Sequence, residues 1–314
     1  MTLLWIVAGI IGLVLALAAS RRAVHHASAL AFGSRLPPFV IGISLLAIGT
    51  DLPEIANSVI ASLRNRGDLN VSDSIGSAVT QVTLVLGLLP LIGGAFVVGR
   101  RRVRLIGGLI VAALVLGVAL VADGHLSRID GLALLSGWVV ASAAIWRFAP
   151  PASGPDLPVP VHGKGKHVVS VLGALAVVGA GAWIAIEALL RIAELINVPI
   201  YIVGFLGASL GTSLPELIVD ITALREGQTD LAVGDVFGSS LVDATLSIGI
   251  GPIVAPTAIT AGLAIRGGLG AVVAVVAVTL VLGIRKRHTR LTGIILLLIY
   301  AALYVLLVSA IDLH

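Results

Sequence analysis

The sequence contains one polar stretch twice: residues 49–54 read GTDLPE and residues 211–216 read GTSLPE. The copies lie 162 positions apart, and the same offset relates residues 42–90 to residues 204–252 without a gap. Each copy places a glutamate inside a long apolar run. Because a carboxylate in a lipid-spanning segment is costly without a partner or a cation, the repeat predicts a symmetric pair of acids at an ion site.

The composition is that of an integral membrane protein. Hydrophobic residues make up 58% of the 314 residues, charged residues make up 11%, and the mean hydropathy is +1.12. Soluble globular domains carry about 25% charged residues. Cysteine is absent, which excludes disulfides and thiolate metal sites.

Ten apolar segments are long enough to cross a bilayer. They cover residues 3–19, 37–62, 70–98, 104–122, 129–148, 168–191, 198–224, 231–257, 265–284 and 291–311. A Pro- and Gly-rich linker, residues 149–166, separates two halves of five spans each, residues 1–148 and 167–314. Since five is odd, the second half starts on the opposite side of the membrane. We therefore predict an all-α integral membrane protein with ten transmembrane helices in two inverted five-helix repeats.

The distribution of basic residues predicts the orientation. The loops after the odd-numbered spans hold 15 of the 20 Lys and Arg residues. They begin with Arg21 and Arg22 in the first loop and include both lysines in the linker. By the positive-inside rule these loops are cytoplasmic and both termini lie outside. We expect a multi-pass protein of the plasma membrane.

Each repeat carries two motifs with polar side chains one helical turn apart. Each pair combines a hydroxyl with a carboxylate or an amide: Thr50 with Glu54, Thr212 with Glu216, Ser77 with Gln81, and Ser239 with Asp243. Residues four apart share one helix face. Ligation by oxygen alone suits hard cations such as Na⁺ and Ca²⁺. We predict that the four acidic and amide groups converge near the axis of the repeat.

Two prolines add main-chain oxygens to this prediction. Pro53 and Pro215 lack the N–H that would bond four residues back, so the carbonyls of Gly49 and Gly211 lose their helical partner. In a membrane a freed carbonyl must be satisfied. A bound cation can serve this purpose.

These motifs resemble a known family. GTDLPE followed by GSAVTQ, and GTSLPE followed by GSSLVD, resemble the two α-repeats of the sodium/calcium exchanger superfamily, the cation/calcium antiporters. The resemblance covers nearly the whole chain and includes DGHLSRIDG at residues 123–131 and the short linker typical of prokaryotic members. It implies exchange of extracellular Na⁺ for cytoplasmic Ca²⁺ by alternating access, with spans 1 and 6 sliding against a rigid core.

The resemblance also implies the ion ligands. Glu54 and Glu216 would bind Ca²⁺ centrally and also contact Na⁺. Main-chain carbonyls near Ala47 and Ser209 would contact Na⁺. The side chains that would do so are Thr50, Ser77, Thr212, Ser213, Ser239 and Asp243.

The sequence departs from the family at several positions. Asp51 stands where the family usually has Ser, and Gln81 replaces the usual Asn or Asp. Asp73 and Asp235 replace Asn, and we expect both near helix starts, where a carboxylate caps free N–H groups.

Asp51 raises the number of central carboxylates to four. Together they carry more negative charge than one Ca²⁺ neutralises, and like charges favour protonation of one member. We therefore expect Asp51 or Asp243 to be protonated when Ca²⁺ is bound. The alternative function is then H⁺-coupled exchange of Ca²⁺ or another divalent cation, whereas an Asp51 that points away from the site would leave Na⁺ coupling unchanged.

Other functional classes fit less well. Acids at the midplane favour tight binding, which opposes the rapid conduction of a channel. No nucleotide loop or hydrolase motif is present, so we predict neither an ATP-driven pump nor an enzyme. We expect no cofactor and no nucleic-acid partner; Na⁺, Ca²⁺ and H⁺ would be substrates, in contact with the lipid bilayer.

Overall fold

The structure is a computed structural model, and it describes residues 2–34, 37–148, 163–195, 213–285 and 287–311. The helices are α1 Thr2–Ser34, α2 Pro38–Ile41, α3 Ala47–Thr50, α4 Leu52–Leu63, α5 Gly67–Thr80, α6 Leu86–Ile92, α7 Arg100–Leu120, α8 Arg128–Phe148, α9 Lys164–Leu195, α10 Leu214–Arg225, α11 Thr229–Val242, α12 Ile248–Val254, α13 Ala261–Ile284 and α14 Arg290–Ile311. Three π-helical turns are π1 Gly42–Leu46, π2 Gln81–Val85 and π3 Asp243–Ser247. The short strands are β1 Phe96–Val97, β2 His125–Leu126, β3 Thr257–Ala258 and β4 Arg287–His288.

The described residues form an all-helical membrane protein. Seven helical segments are long and apolar enough to cross a bilayer, and an eighth is added if Pro38–Thr50 and Leu52–Leu63, bent by 46°, count as one span. The predicted span 198–224 lies partly outside the described residues.

Helix α1 is longer than the predicted span 3–19. It continues to Ser34, so Arg21 and Arg22 lie within a helix and not in a loop. The reason is that only the membrane-crossing part must be apolar, whereas a helix can continue beyond the hydrocarbon region with polar residues. Helix α9 likewise begins at Lys164, inside the segment predicted as linker.

The 162-residue offset is also present in the element boundaries. Helices α4, α5 and α6 and the turn π2 each begin and end at positions that, shifted by 162, are the ends of α10, α11, α12 and π3. The equivalence includes π2 and π3, so this widened helical turn occurs at the same position of both repeats. A sequence repeat of this kind therefore folds into locally equivalent structure.

By its internal contacts the chain forms two compact units, and each draws on both predicted halves. Unit 1 comprises Met1–Thr50 and Pro150–Asp235, and unit 2 comprises Asp51–Ala149 and Val236–His314. In unit 1, α1 and α9 pack along each other. They approach closely because a Cβ on Gly12 or Gly181 would collide with the other glycine's carbonyl oxygen.

Unit 2 is built around two repeat-related glycine contacts. Gly87 in α6 lies against Gly293 in α14, and Gly249 in α12 lies against Gly131 in α8. A shift of 162 residues converts the first pair into the second. At each contact a Cβ would press on the carbonyl oxygen of the facing helix, so both crossings depend on the absence of a side chain.

Two antiparallel strand pairs close the helix ends of unit 2. Strand β1 pairs with β4, with Phe96 opposite His288. Strand β2 pairs with β3, with Leu126 opposite Thr257. These pairs connect chain segments that are far apart in sequence and fix the ends of α13 and α14.

In unit 2, one proline in each repeat removes the hydrogen-bond donor of a helical carbonyl. A different side chain donates to each of these two carbonyls. Pro90 lies within α6 and Pro252 within α12, so the carbonyls of Leu86 and Ile248 lack the N–H four residues later. His288 Nε2 lies 2.8 Å from the Leu86 oxygen. The Nδ2 atom of Asn70 donates to the Ile248 oxygen at 3.1 Å. Because a carbonyl only accepts, His288 must carry a hydrogen on Nε2.

Candidate functional site

The chain breaks its helical path at the first acidic motif. Helix α3 ends at Thr50, α4 begins at Leu52, and Asp51 lies at the bend. Pro53 falls in the first turn of α4, where its missing N–H needs no partner. The four-residue spacing predicts that Thr50 and Glu54 share one helix face. Because the chain bends between them, they do not lie on one continuous helix. The proline initiates a helix here and does not kink one.

Unit 2 contains three buried carboxyl groups at its centre. Asp51, Glu54 and Asp243 are 0%, 1% and 0% exposed. One carboxylate oxygen of Asp51 lies within 4.8 Å of one of Glu54. Asp243 lies within electrostatic reach of both. Three acids in a solvent-free interior require protons or a cation to offset their charge.

Helix N-termini support part of this negative charge. Glu54 lies in the first turn of α4, where the free N–H groups and the helix dipole favour an anion. The break at Asp51 creates this N-terminus next to the buried Glu54 side chain. The bend thus supplies both the position and the electrostatic stabilisation of the Glu54 carboxylate.

The π-helical turns place the two later motif residues. Gln81 is the first residue of π2, and Asp243 is the first residue of π3. Gln81 is fully buried, and neither its Oε1 nor its Nε2 has a hydrogen-bond partner among the described residues. An amide oxygen in this state is available to ligate a hard cation. π-helical turns are rare and occur frequently at functional sites.

The helices that carry these turns meet at the Gly-Ser motifs. The hydroxyl of Ser240 donates to the Ala78 carbonyl at 3.0 Å. These two residues occupy equivalent positions of the repeat, so the local axis of pseudo-symmetry passes beside them. Their neighbours Ser77 and Ser239 are 5% and 0% exposed. The structure thus brings the helices of both Gly-Ser motifs together within unit 2, as the sequence predicts.

Unit 1 holds two predicted ligands that precede the bend. Ala47 and Thr50 are buried in α3, directly after the π1 turn. The Thr50 hydroxyl donates towards the carbonyls of Leu46 at 3.1 Å and Ala47 at 3.2 Å. Its hydrogen is therefore directed at the backbone of its own helix.

The second acidic motif, GTSLPE at residues 211–216, lies in unit 1 and has part of the arrangement seen at GTDLPE. Ser213 precedes α10, Glu216 lies in its first turn, and they are 3% and 1% exposed. Pro215 again occupies the start of the helix. The predicted ligands Thr212 and Ser209 lie outside the described residues.

The structure places three further acids inside helices: Asp73, Asp220 and Asp235. Asp73 and Asp235 lie in the middle of α5 and α11, so the prediction that they cap helix starts is wrong. Side-chain pairing explains the difference: Asn57 Nδ2 donates to Asp73 at 2.6 Å, and Asp235 interacts with Asp220. Asp220 is fully buried in α10.

Sequence reasoning missed two residues that support the site. Asn70 donates to the carbonyl of Ile248, which Pro252 frees and which lies five residues after Asp243. His288 donates to the carbonyl of Leu86, which Pro90 frees and which lies five residues after Gln81. Pro90 and Pro252, at the ends of the two repeats, could have indicated from the sequence that a side chain must donate to the freed carbonyl. The identity of the donor is not visible in sequence because His288 lies 202 residues from Leu86.

Comparisons with known proteins agree with this geometry. The family model described as sodium/calcium exchanger protein matches residues 4–147 and 166–309. The putative antiporter CaxA of Alkalimonas amylolytica is 30% identical over 313 residues, which cover 96% of this chain and 98% of CaxA. The inner membrane protein YrbG of Escherichia coli strain K12 is 30% identical over 260 residues, 80% of each chain.

A solved structure shares the fold. The sodium-calcium exchanger NCX_Mj, soaked with zero Na⁺ and Ca²⁺, superposes with a TM-score of 0.79 at 24% identity, over 96% of this chain and 98% of that chain. Because the family model matches both halves of the sequence, the chain belongs to the sodium/calcium exchanger family of cation/calcium antiporters.

Proposed function

We propose that this antiporter exchanges Na⁺ for Ca²⁺ by alternating access. The observation that carries the proposal is the group of buried carboxyls in unit 2, Asp51, Glu54 and Asp243, to which the sequence adds the fully buried amide of Gln81. This donor set contains only oxygen ligands and more negative charge than monovalent ions need. No nucleotide loop is present to supply energy, so an ion gradient must drive transport.

The full ligand set rests on the repeat and on the family resemblance. The repeat gives Glu216 the same motif position and the same first-turn burial as Glu54. We assign Ca²⁺ to the two glutamates. We assign Na⁺ contacts to the carbonyls of Ala47 and Ser209 and to Thr50, Ser77, Gln81, Thr212, Ser213, Ser239 and Asp243.

Ten spans in two inverted five-helix halves are the architecture we infer. Equal element boundaries at an offset of 162 residues support the repeat. The odd number of spans per half requires the inversion. Both termini would lie outside a plasma membrane, with linker 149–166 in the cytoplasm.

Transport by purified protein tests the function. Proteoliposomes loaded with Na⁺ and diluted into Na⁺-free buffer should accumulate ⁴⁵Ca²⁺, and Glu54→Gln should abolish uptake. Glu226→Gln is the matched control, since Glu226 is exposed at the end of α10 and should leave uptake unchanged. Equal uptake by Glu54→Gln and wild type would refute the assigned role of Glu54.

H⁺-coupled exchange of Ca²⁺ or another divalent cation is the second candidate, and Asp51 favours it. A carboxyl buried within 4.8 Å of the Glu54 carboxylate can release a proton when a cation arrives and take it up when the cation leaves. Asp51→Ser gives position 51 the residue of its repeat mate, Ser213.

A comparison of gradients distinguishes the two candidates. If protons are coupled, an outward H⁺ gradient alone drives ⁴⁵Ca²⁺ uptake in the wild type and fails to do so in Asp51→Ser. If only Na⁺ is coupled, both proteins respond to Na⁺ alone and show the same pH profile. The second result would eliminate a role for Asp51 in proton coupling.

A further inference from the structure

A groove between three helices of unit 2 is not used by the proposed transport mechanism. It lies between α5, α13 and α14 and has a volume of about 370 Å³. This size falls in the roughly 300–1,000 Å³ range of small-molecule pockets. Its walls are mainly apolar and include Leu69, Ile75, Val79, Leu263 and Leu303. The groove therefore suits an apolar occupant.

Two glycines create the space. A Cβ on Gly76 would meet nothing within 4 Å, and one on Gly267 would only touch Ile75 at 3.9 Å. In the other repeat Ile106 corresponds to Gly267, because α7 and α13 begin 161 positions apart, and the bulkier Phe237 corresponds to Ile75. Gly267 is thus specific to one of the two repeats, whereas Gly76 has a glycine, Gly238, at its equivalent position.

The polar residues of the groove lie at its membrane-boundary end. Arg266 is an exposed residue of α13, five positions after its start, which is about 7–8 Å along the helix axis. Tyr304 lines the same groove, and tyrosine is enriched at the headgroup level of membranes. Asp68 is also in the wall, but both its oxygens accept hydrogen bonds from Thr260, which directs its charge to the start of α13.

We propose that this groove binds one anionic phospholipid, with an acyl chain between α5 and α13 and the phosphate beside Arg266. The bilayer around the helices supplies acyl chains at every apolar opening of this size. An arginine at the headgroup level selects a phosphate, and its long side chain can reach towards the membrane surface. In the proposed orientation the lipid occupies the outer leaflet. It would support α5 directly behind Gly76, next to Ser77.

Binding is measured on the purified full-length protein and needs no transport. Delipidated protein is titrated with palmitoyl-oleoyl phosphatidylglycerol and analysed by native mass spectrometry. The wild type should retain one tightly bound lipid. Arg266→Gln should weaken its binding about fivefold, the share of one basic residue in attraction to anionic lipid. Gly267→Leu, which places a bulky side chain in the groove, should abolish it.

Arg104→Gln is the matched control, because Arg104 is an exposed arginine near the start of α7, as Arg266 is near the start of α13, and it lies outside the groove. It should retain the lipid with unchanged affinity. Retention by Gly267→Leu at wild-type affinity would overturn the proposal, as would equal binding by Arg266→Gln and wild type. Displacement of the lipid by glycerol 3-phosphate would also overturn it, because the chain would then contribute nothing.

A measurement on the unmodified protein makes the test independent of any variant. Phosphatidylglycerol with a photoreactive group in its acyl chain is crosslinked to the wild type, and the adducts are mapped by peptide mass spectrometry. The proposal expects adducts on groove residues such as Ile75, Val79 or Leu263. Adducts confined to other helices would place the lipid elsewhere and refute it.

Discussion

The carbonyl freed by Pro90 allows a sharp test of what His288 does. The His288 side chain is fully buried, donates to the Leu86 oxygen at 2.8 Å and packs edge-on against Phe96 with ring centroids 5.2 Å apart. His288→Ala removes the hydrogen bond and also leaves a cavity. Pro90→Ala restores an N–H four residues after Leu86, so it can satisfy the same carbonyl without the histidine.

The double-mutant cycle isolates the hydrogen bond from the cavity. A buried acceptor left without a donor costs about 1–3 kcal/mol, whereas the cavity penalty is the same in both backgrounds. His288→Ala should therefore destabilise the protein by about 1–3 kcal/mol less when Pro90→Ala is present. The difference corresponds to several degrees in Tm, at roughly 2–4 °C per kcal/mol for a large domain.

Thermal unfolding of the four purified proteins, followed by tryptophan fluorescence, measures this difference. The expected result is a smaller loss in Tm for His288→Ala in the Pro90→Ala background. An equal loss in both backgrounds would refute the reasoning, since it would show that His288 stabilises the fold by packing alone.

Three further predictions follow from the same structure. Asn70→Ala should be rescued in the same way by Pro252→Ala, because Asn70 donates to the Ile248 carbonyl; an unchanged penalty would contradict this. Burial lowers the pKa of His288 below its ordinary value of 6.5, so the unfolded chain takes up the proton at a higher pH than the folded protein. The Tm should therefore fall as the pH drops below 6.5. This part of the pH dependence should be absent in His288→Ala. Gly131→Ala should lower the free energy of unfolding by about 1–3 kcal/mol, because its Cβ would press on the backbone of α12. Gly108→Ala is the control and should not destabilise the protein, since open space surrounds this glycine. Equal Tm values for the two variants would exclude the close contact at Gly131.

Much of the fold could be predicted from sequence because the repeat and the apolar runs are strong signals. The offset between GTDLPE and GTSLPE located equivalent helices to the residue at both ends of α4 and α10. The end of the first span was wrong because hydropathy reports only the part of α1 that must be apolar. The four-residue spacing of Thr50 and Glu54 also misled, because the chain bends at Asp51.

The candidate site could be predicted in composition but not in detail. Residue type predicted Glu54, Gln81 and Asp243 as buried oxygen ligands; all three are buried, and their role as ligands stays a prediction. Their placement on a helix start and on π-helical turns depends on backbone geometry that residue spacing does not encode. The pairing of Asp73 with Asn57 depends on a contact between neighbouring helices, so a mid-helix acid was mistaken for a cap.

The π-helical turns have a mechanical consequence. A helix bends most readily where its regular hydrogen-bond ladder is interrupted, and π-bulges are among the usual positions of sharp kinks. In this protein the interruptions begin at Gln81 and Asp243 themselves. The bending stiffness is therefore low at the proposed ion ligands themselves, in addition to the interruptions at Pro90 and Pro252. A cation that draws these two side chains inward would therefore deform the backbone at the point of contact, with little loss of force along the helix.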